Sequence, residues 1–157
     1  MKFLYTDIDY VLSLDTETEF FNTKWGDIQE FNPKAVRIYN EILEATGALP
    51  IVTSDWRYHH SLKNLQEIFV EWAGITVAPV GVTPEIPGIT LEQQARWRAK
   101  EILAHVEQFK PDNWVVIDDL ELTPFLPKDH FVRCANYHEG IKESGKAFRV
   151  IQKLNKI

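Results

Sequence analysis

A single cysteine, Cys134, and a single methionine are all the sulfur this chain contains. One thiol cannot close an intramolecular disulfide or build a cysteine-ligated metal cluster, so disulfide-stapled and zinc-ribbon scaffolds are excluded. Cys134 lies in an apolar stretch and reads as a small buried hydrophobe. No apolar run approaches the ~20 residues that a membrane helix requires. The start, MKFLYTDIDY, meets an acid at position 7, too early for the apolar stretch of a secretory leader. The expectation is a cytoplasmic protein without membrane contact. Positive charge is also scarce: 17 Lys and Arg against 23 Asp and Glu leave a net charge of −6. A dedicated duplex-DNA binder would be basic, so that class is disfavoured, although a local basic cleft is not. The basic run Lys142, Lys146, Arg149, Lys153 and Lys156 reads as a solvated helix face. Repeats, low-complexity tracts and Gly/Ser linkers are missing too, so residues 1–157 read as one domain over one core.

What is present alternates between strand and helix patterns. Residues 2–6 (KFLYT), 49–53 (LPIVT) and 114–117 (WVVI) are short apolar runs suited to buried strands. Weaker strand signals cover residues 75–80 and 130–134. Asn32-Pro33 opens a helix, with Asn32 as its cap and Pro33 at its first position, and Gly47 stops it. Further helices are expected over 58–73, over 91–109 after a Thr90 cap, and over 143–155. Pro84 and Pro87 make Val82–Gly88 a loop. Residues 10–32 lack a clean period and read as a flap, with room for a hairpin. Strands alternating with helices predict an α/β fold: a Rossmann-like three-layer sandwich around a central parallel sheet. Ligands of such sheets sit at the carboxyl ends of the strands.

Three of the strands end in reactive residues: Asp7 and Asp9, Thr53 and Ser54, Asp118 and Asp119. A buried strand running straight into carboxylates carries a desolvation cost unless something neutralises them. Several carboxylates in one crevice repel each other, and a hard cation with oxygen ligands resolves this; magnesium fits best. Asp7, Asp9, Asp118 and Asp119 are therefore the candidate metal ligands. Thr53 and Ser54, placed before a helix, suit an anion. A cation to accompany them comes from Arg96, Arg98 or Lys100, with Arg98 the best placed. The pair His59-His60 faces two directions and does not suggest a metal site.

In order and strand context these motifs resemble the haloacid dehalogenase-like superfamily of phosphotransferases. Its first motif, Asp-x-Asp-x-Thr/Val, is matched by Asp7-Ile8-Asp9-Tyr10-Val11-Leu12. Its strand-ending Thr or Ser is matched by Ile51-Val52-Thr53-Ser54, and its late acidic pair by Val115-Val116-Ile117-Asp118-Asp119. The chain is also similar to small members with Ser/Thr-x-Trp-Arg and Arg-Gly-x-Glu-Ile, matched by Ser54-Asp55-Trp56-Arg57 and Arg98-Ala99-Lys100-Glu101-Ile102. Some of those are associated with RNA repair or polynucleotide-end phosphatases. Tyr10 departs from the pattern, since the residue after the second Asp is usually Gly.

The resemblance implies a magnesium-dependent phosphatase. Asp7 would be the nucleophile and Asp9 the general acid and base; Thr53, Ser54 and either Arg98 or Lys100 would hold the phosphoryl oxygens. Residues 10–52 and 55–97 leave no length for a large inserted cap. The site should therefore be open, with Tyr10, Trp25, Trp56 and Arg57 as candidate substrate contacts around the flap. The expected partner is a phosphorylated small molecule or a nucleic-acid end. The rival is a non-catalytic relative that binds magnesium for regulation. A receiver-type signalling domain fits less well, because its acidic pair precedes its phosphorylated Asp.

Overall fold

A computed structural model of the chain describes residues 1–88 and 90–156. Five parallel strands form the central sheet: β1 (Lys2–Thr6), β4 (Leu49–Val52), β5 (Gly81–Val82), β6 (Asn113–Asp118) and β7 (Phe131–Arg133). Their spatial order is β5-β4-β1-β6-β7. The chain builds outward from β1 to β5, then returns to pair β6 with the other side of β1. The order reverses there, and Asp7 and Asp118 follow from those two strands at their carboxyl ends.

Side-chain alternation along β1 decides the layers. Leu4 packs in a cluster with Val36, Ile42 and Leu43 of α1 (Pro33–Thr46), Leu65 of α2 (Leu62–Glu67), and Val150 and Leu154 of α4 (Lys146–Leu154). Phe3 and Tyr5 point the other way, to Ala99 and Ile102 of α3 (Gln94–Phe109). Both faces are covered, which is why β1 and β6 are nearly all apolar.

Local chemistry sets the helix ends. The Asn32 side chain accepts the N–H groups of Lys34 and Ala35, and Gly47 closes α1 in the left-handed region at φ 70°. Ser61 caps α2 through the Asn64 N–H. After Glu67 the helix widens into a π-helical turn, Ile68–Trp72, in which Ala73 N–H reaches Ile68 O at 2.9 Å. This turn presents Trp72, whose indole N–H donates to Gln29 O at 3.1 Å. Gln29 ends the hairpin of β2 (Phe20–Thr23) and β3 (Gly26–Gln29), which lies within the segment expected to form the flap.

Several expectations are corrected. Residues 75–80 are not a strand, because their amides are committed elsewhere: Ile75 N–H to Phe69 O and Thr76 N–H to the Asn40 side chain. The chain joins β4 from the bond of Val80 N–H to Pro50 O, and pairing proper covers only Gly81 and Val82. The helix expected over 58–73 begins at Leu62, behind a separate 3₁₀ turn at Asp55–Tyr58 capped by Ser54. Thr90 makes no side-chain cap, and α3 is preceded by a 3₁₀ turn at Leu91–Gln93. The last helix starts at Lys146 rather than 143.

Gly140 sits at φ +53°, where an added Cβ would lie 2.5 Å from Val11 O and 2.6 Å from a Leu14 methyl. Its amide neighbour Ile141 N–H bonds Val11 O at 3.1 Å, so the 136–141 loop is pressed onto the turn after β1. Gly140→Ala should cost about 3 kcal/mol in urea unfolding, through backbone strain plus a backbone clash. Gly47→Ala has open space around it and a similar φ, and should cost only about 1 kcal/mol.

Candidate active site

The first motif is shaped by the turn that follows β1. Asp7 N–H still joins the ladder, donating to Ile117 O at 3.1 Å. The chain then coils, and the N–H groups of Val11, Leu12 and Ser13 converge on Ile8 O at 2.9–3.2 Å. Tyr10 takes φ 66°, the left-handed conformation that glycine adopts without steric cost. Asp7 and Asp9 thereby reach the same crevice, of about 310 Å³, which Tyr10, Ser54, Asp55, Arg98, Asp119 and Tyr137 also line.

Asp118, fully buried, anchors the floor. One of its oxygens accepts Leu120 N–H at 3.0 Å and the other accepts the Arg98 guanidinium at 2.8 Å. Arg98 also stands 3.5 Å from Asp7 and 3.5 Å from Asp55. Carboxylate oxygens of Asp7, Asp118 and Asp119 lie within 4.8 Å of one another. This all-oxygen donor set suits a hard divalent cation and could hold one. Asp9 borders the crevice, but its carboxylate is not among these three; its Oδ1 accepts the Trp56 indole N–H at 3.1 Å.

Burial pushes the Asp7 carboxyl well above the usual carboxylate range, and the Asp118 charge adds to this against the pull of Arg98. Asp118 is raised to about 6 by burial, with Arg98 and the Leu120 N–H opposing. Asp9 is raised by burial, with the Trp56 bond opposing. Burial would lower Arg98, but Asp118, Asp7 and Asp55 outweigh it and keep the guanidinium charged.

The anion-holding residues are unequal. Thr53 is fully buried, and its hydroxyl lacks a partner among the described residues. Ser54 Oγ accepts Trp56 N–H at 3.3 Å. The inward face of α3 carries Arg98, Ala99, Glu101, Ile102 and His105. Lys100, about 200° around the helix from Arg98, is exposed, with its Nζ 4.4 Å from the Trp97 ring centroid. The structure brings Arg98 to the carboxylates and leaves Lys100 outside.

The flap candidates separate in the same way. Tyr10 lines the mouth of the crevice, 4.8 Å from the Tyr137 ring. Trp25, in the turn between β2 and β3, packs against the core and does not line the crevice. Arg57 turns inward: it pairs with Glu101 at 2.7 Å and donates to Thr53 O at 3.0 Å and to the Thr83 hydroxyl. Asp55 and Tyr137 were not anticipated. Asp55 stood within the Ser54–Arg57 tetrapeptide, whereas Tyr137 lies in a loop with no periodic signal. A second cleft of about 330 Å³, walled by Phe20, Asp27, Ile28 and Gln29 of the hairpin, opens beside Asp9, Asp55 and Trp56.

The strand order, with acids ending two adjacent strands and a buried arginine from α3 between them, is that of a haloacid dehalogenase-like domain. The family described as the HAD domain in Swiss Army Knife RNA repair proteins matches residues 3–144, and the chain belongs to it. Searches of curated proteins and of solved structures give no match. Membership points to phosphatase-type hydrolysis. Among the described residues, no helix is long and apolar enough to cross a membrane.

The raised carboxyls have a stability consequence with a definite sign. A carboxyl raised in the folded state contributes fully below its ordinary value, and that contribution is lost as pH rises through the folded value, about 6 for Asp118. The metal-free protein should therefore lose thermal midpoint mainly between about pH 4 and about pH 6, and Asp118→Asn should flatten that slope. Calorimetry across the range checks it; an equally steep slope in the variant would contradict the assignment.

Proposed function

We propose that the chain is a magnesium-dependent phosphatase that moves the phosphoryl group of a monoester to water by way of Asp7. The observation that carries this reading is the Asp7 carboxylate, held between the Asp118–Asp119 pair and the Arg98 guanidinium at the floor of an open crevice. Magnesium, held by Asp7, Asp118 and Asp119 with Asp9 adjoining, would screen the phosphate from the nucleophile's charge. An Asp7 oxygen attacks phosphorus, the bond to the leaving oxygen breaks, and an aspartyl-phosphate forms. Asp9 gives its proton to the leaving oxygen, then takes one from the water that cleaves the acyl phosphate. Arg98 and Ser54, which line the crevice, are the donors for the phosphoryl oxygens, and Thr53 stands buried behind them, its hydroxyl without a partner among the described residues.

The substrate class we assign is a phosphorylated nucleotide or polynucleotide end. Two features support it: the family's description as a domain of RNA repair proteins, and a crevice continued by the hairpin-walled cleft beside Asp9. Residues 55–97 contribute α2, β5 and the start of α3 to the core layers, so the hairpin is the element placed to discriminate substrates.

Two outcomes are expected. Asp7→Asn should abolish release of phosphate from 3′- or 5′-phosphorylated oligonucleotides while preserving the circular dichroism spectrum. Magnesium at 100 times its dissociation constant should stabilise the wild type by about 2.7 kcal/mol, and Asp118→Ala should remove most of that gain. Near-normal turnover in Asp7→Asn would rule out this chemistry, and magnesium binding without turnover of any ester would favour the regulatory alternative.

Tyr10→Gly separates discrimination from folding. It removes the strained φ and also the contact with Tyr137, two effects of about 1 kcal/mol each and opposite sign. Stability should stay within about 1 kcal/mol of wild type while the ranking of substrates by kcat/KM changes. An unchanged ranking across nucleotide and non-nucleotide esters would remove Tyr10 from the substrate contacts.

A further inference from the structure

The tetrapeptide Ser54-Asp55-Trp56-Arg57 forms a 3₁₀ turn clamped on both sides. On one side Arg57 is tied to Glu101 and to Thr53 O. On the other, the Trp56 ring packs edge-to-face on Phe31, with centroids 5.4 Å apart, and lies 5.9 Å from the His60 ring. Core packing accounts for the ring of Trp56. It does not account for the indole N–H, which meets the Asp9 carboxylate at 3.1 Å.

We infer that Trp56 is a positioning residue for Asp9: its N–H holds Oδ1, so that Oδ2 is the oxygen that hands over and takes back the proton. This rests on the phosphatase reading of Asp9 given above. The indole nitrogen is a donor only, so the oxygen it meets must present a lone pair. A proton on the Asp9 carboxyl is thereby directed to Oδ2. The terminal torsion of an aspartate is broad, and an untethered carboxyl exchanges its two oxygens. The bond to Trp56 removes that freedom. Phe31 lies two residues beyond β3, so the position of the donor, and with it the aim of Asp9, follows how the base of the hairpin is packed.

The proton matters in proportion to the basicity of the leaving oxygen. When an Asp7 oxygen bonds phosphorus and the ester P–O bond breaks, an alkoxide needs the Asp9 proton, whereas a nitrophenolate departs without it. Misaiming Asp9 therefore penalises one substrate and spares the other, which a general loss of structure does not do.

The test compares kcat/KM for an alkyl phosphate and for p-nitrophenyl phosphate, at saturating magnesium, in wild type, Trp56→Phe and Trp56→Gln. Trp56→Phe keeps a ring against Phe31 and should slow the alkyl ester about 10- to 100-fold, a part of what general acid catalysis supplies. It should slow the nitrophenyl ester less than about 3-fold. The Gln amide nitrogen stands the same number of bonds from Cβ as the indole nitrogen, so Trp56→Gln should recover part of the alkyl rate. Added to Asp9→Asn, Trp56→Phe should cost nothing further on the nitrophenyl ester. The ratio of the two rates is taken within one preparation, so partial unfolding does not shift it. Equal losses on both esters, no advantage of Gln over Phe, or a further loss in the Asp9→Asn background would each overturn the inference. A wild type inactive on every ester would instead remove the phosphatase reading itself.

Discussion

The architecture of this molecule turns on one buried guanidinium. Arg98 stands 2.8 Å from Asp118 and 3.5 Å from Asp7, and all three groups are withdrawn from water. Each such ion carries a desolvation penalty of several kcal/mol, tolerable only because opposite charges lie within hydrogen-bonding reach. Yet the balance is incomplete. One guanidinium faces Asp7 and Asp118 on the floor, with Asp55 and Asp119 close by, and the carboxyls respond by rising toward neutrality. The folded chain thus supports a concentration of negative charge that its own residues do not fully neutralise. This is the electrostatic condition that a hard cation with oxygen ligands would relieve.

That condition requires α3 to stay fixed against the strand ends. Glu101, one turn along from Arg98, holds Arg57 through one oxygen and the Ile86 amide through the other. Arg57 in turn holds Thr53 O. A single buried pair therefore locks the helix that carries Arg98 to the strand end that carries Thr53. Losing one partner of such a pair costs about 3–5 kcal/mol, because the other charge is left buried and unmatched.

Much of this was legible in the sequence for identifiable reasons. β1 and β6 are covered on both faces, so they appear as unbroken apolar runs, and the acids that end them stand out. Asn32-Pro33 and Gly47 mark α1 because capping is local chemistry. β5 was not legible, since a two-residue strand has no period and its position depends on where Asn40 and Phe69 capture the preceding amides. The 3₁₀ turn at Asp55–Tyr58 was hidden because a four-residue turn is too short to show a period of its own. The choice between Arg98 and Lys100 lay within reach: buried positions 98, 101, 102 and 105 follow helical spacing, and 100 falls outside it. The direction of the Trp56 N–H had no one-dimensional signature, because its acceptor is 47 positions away.

The π-helical turn at Ile68–Trp72 carries a consequence for how the hairpin is seated. Its wider hydrogen-bond step ends on Trp72, whose indole N–H donates to Gln29 O of β3 and whose ring lies 5.9 Å from that of Phe21 in β2. One side chain thus grips both strands of the hairpin. The acids, in contrast, take their places from the pairing of β1 with β6. The seat of the hairpin and the acid cluster are therefore fixed by different parts of the chain, and a change in the π turn acts on the first without passing through the second.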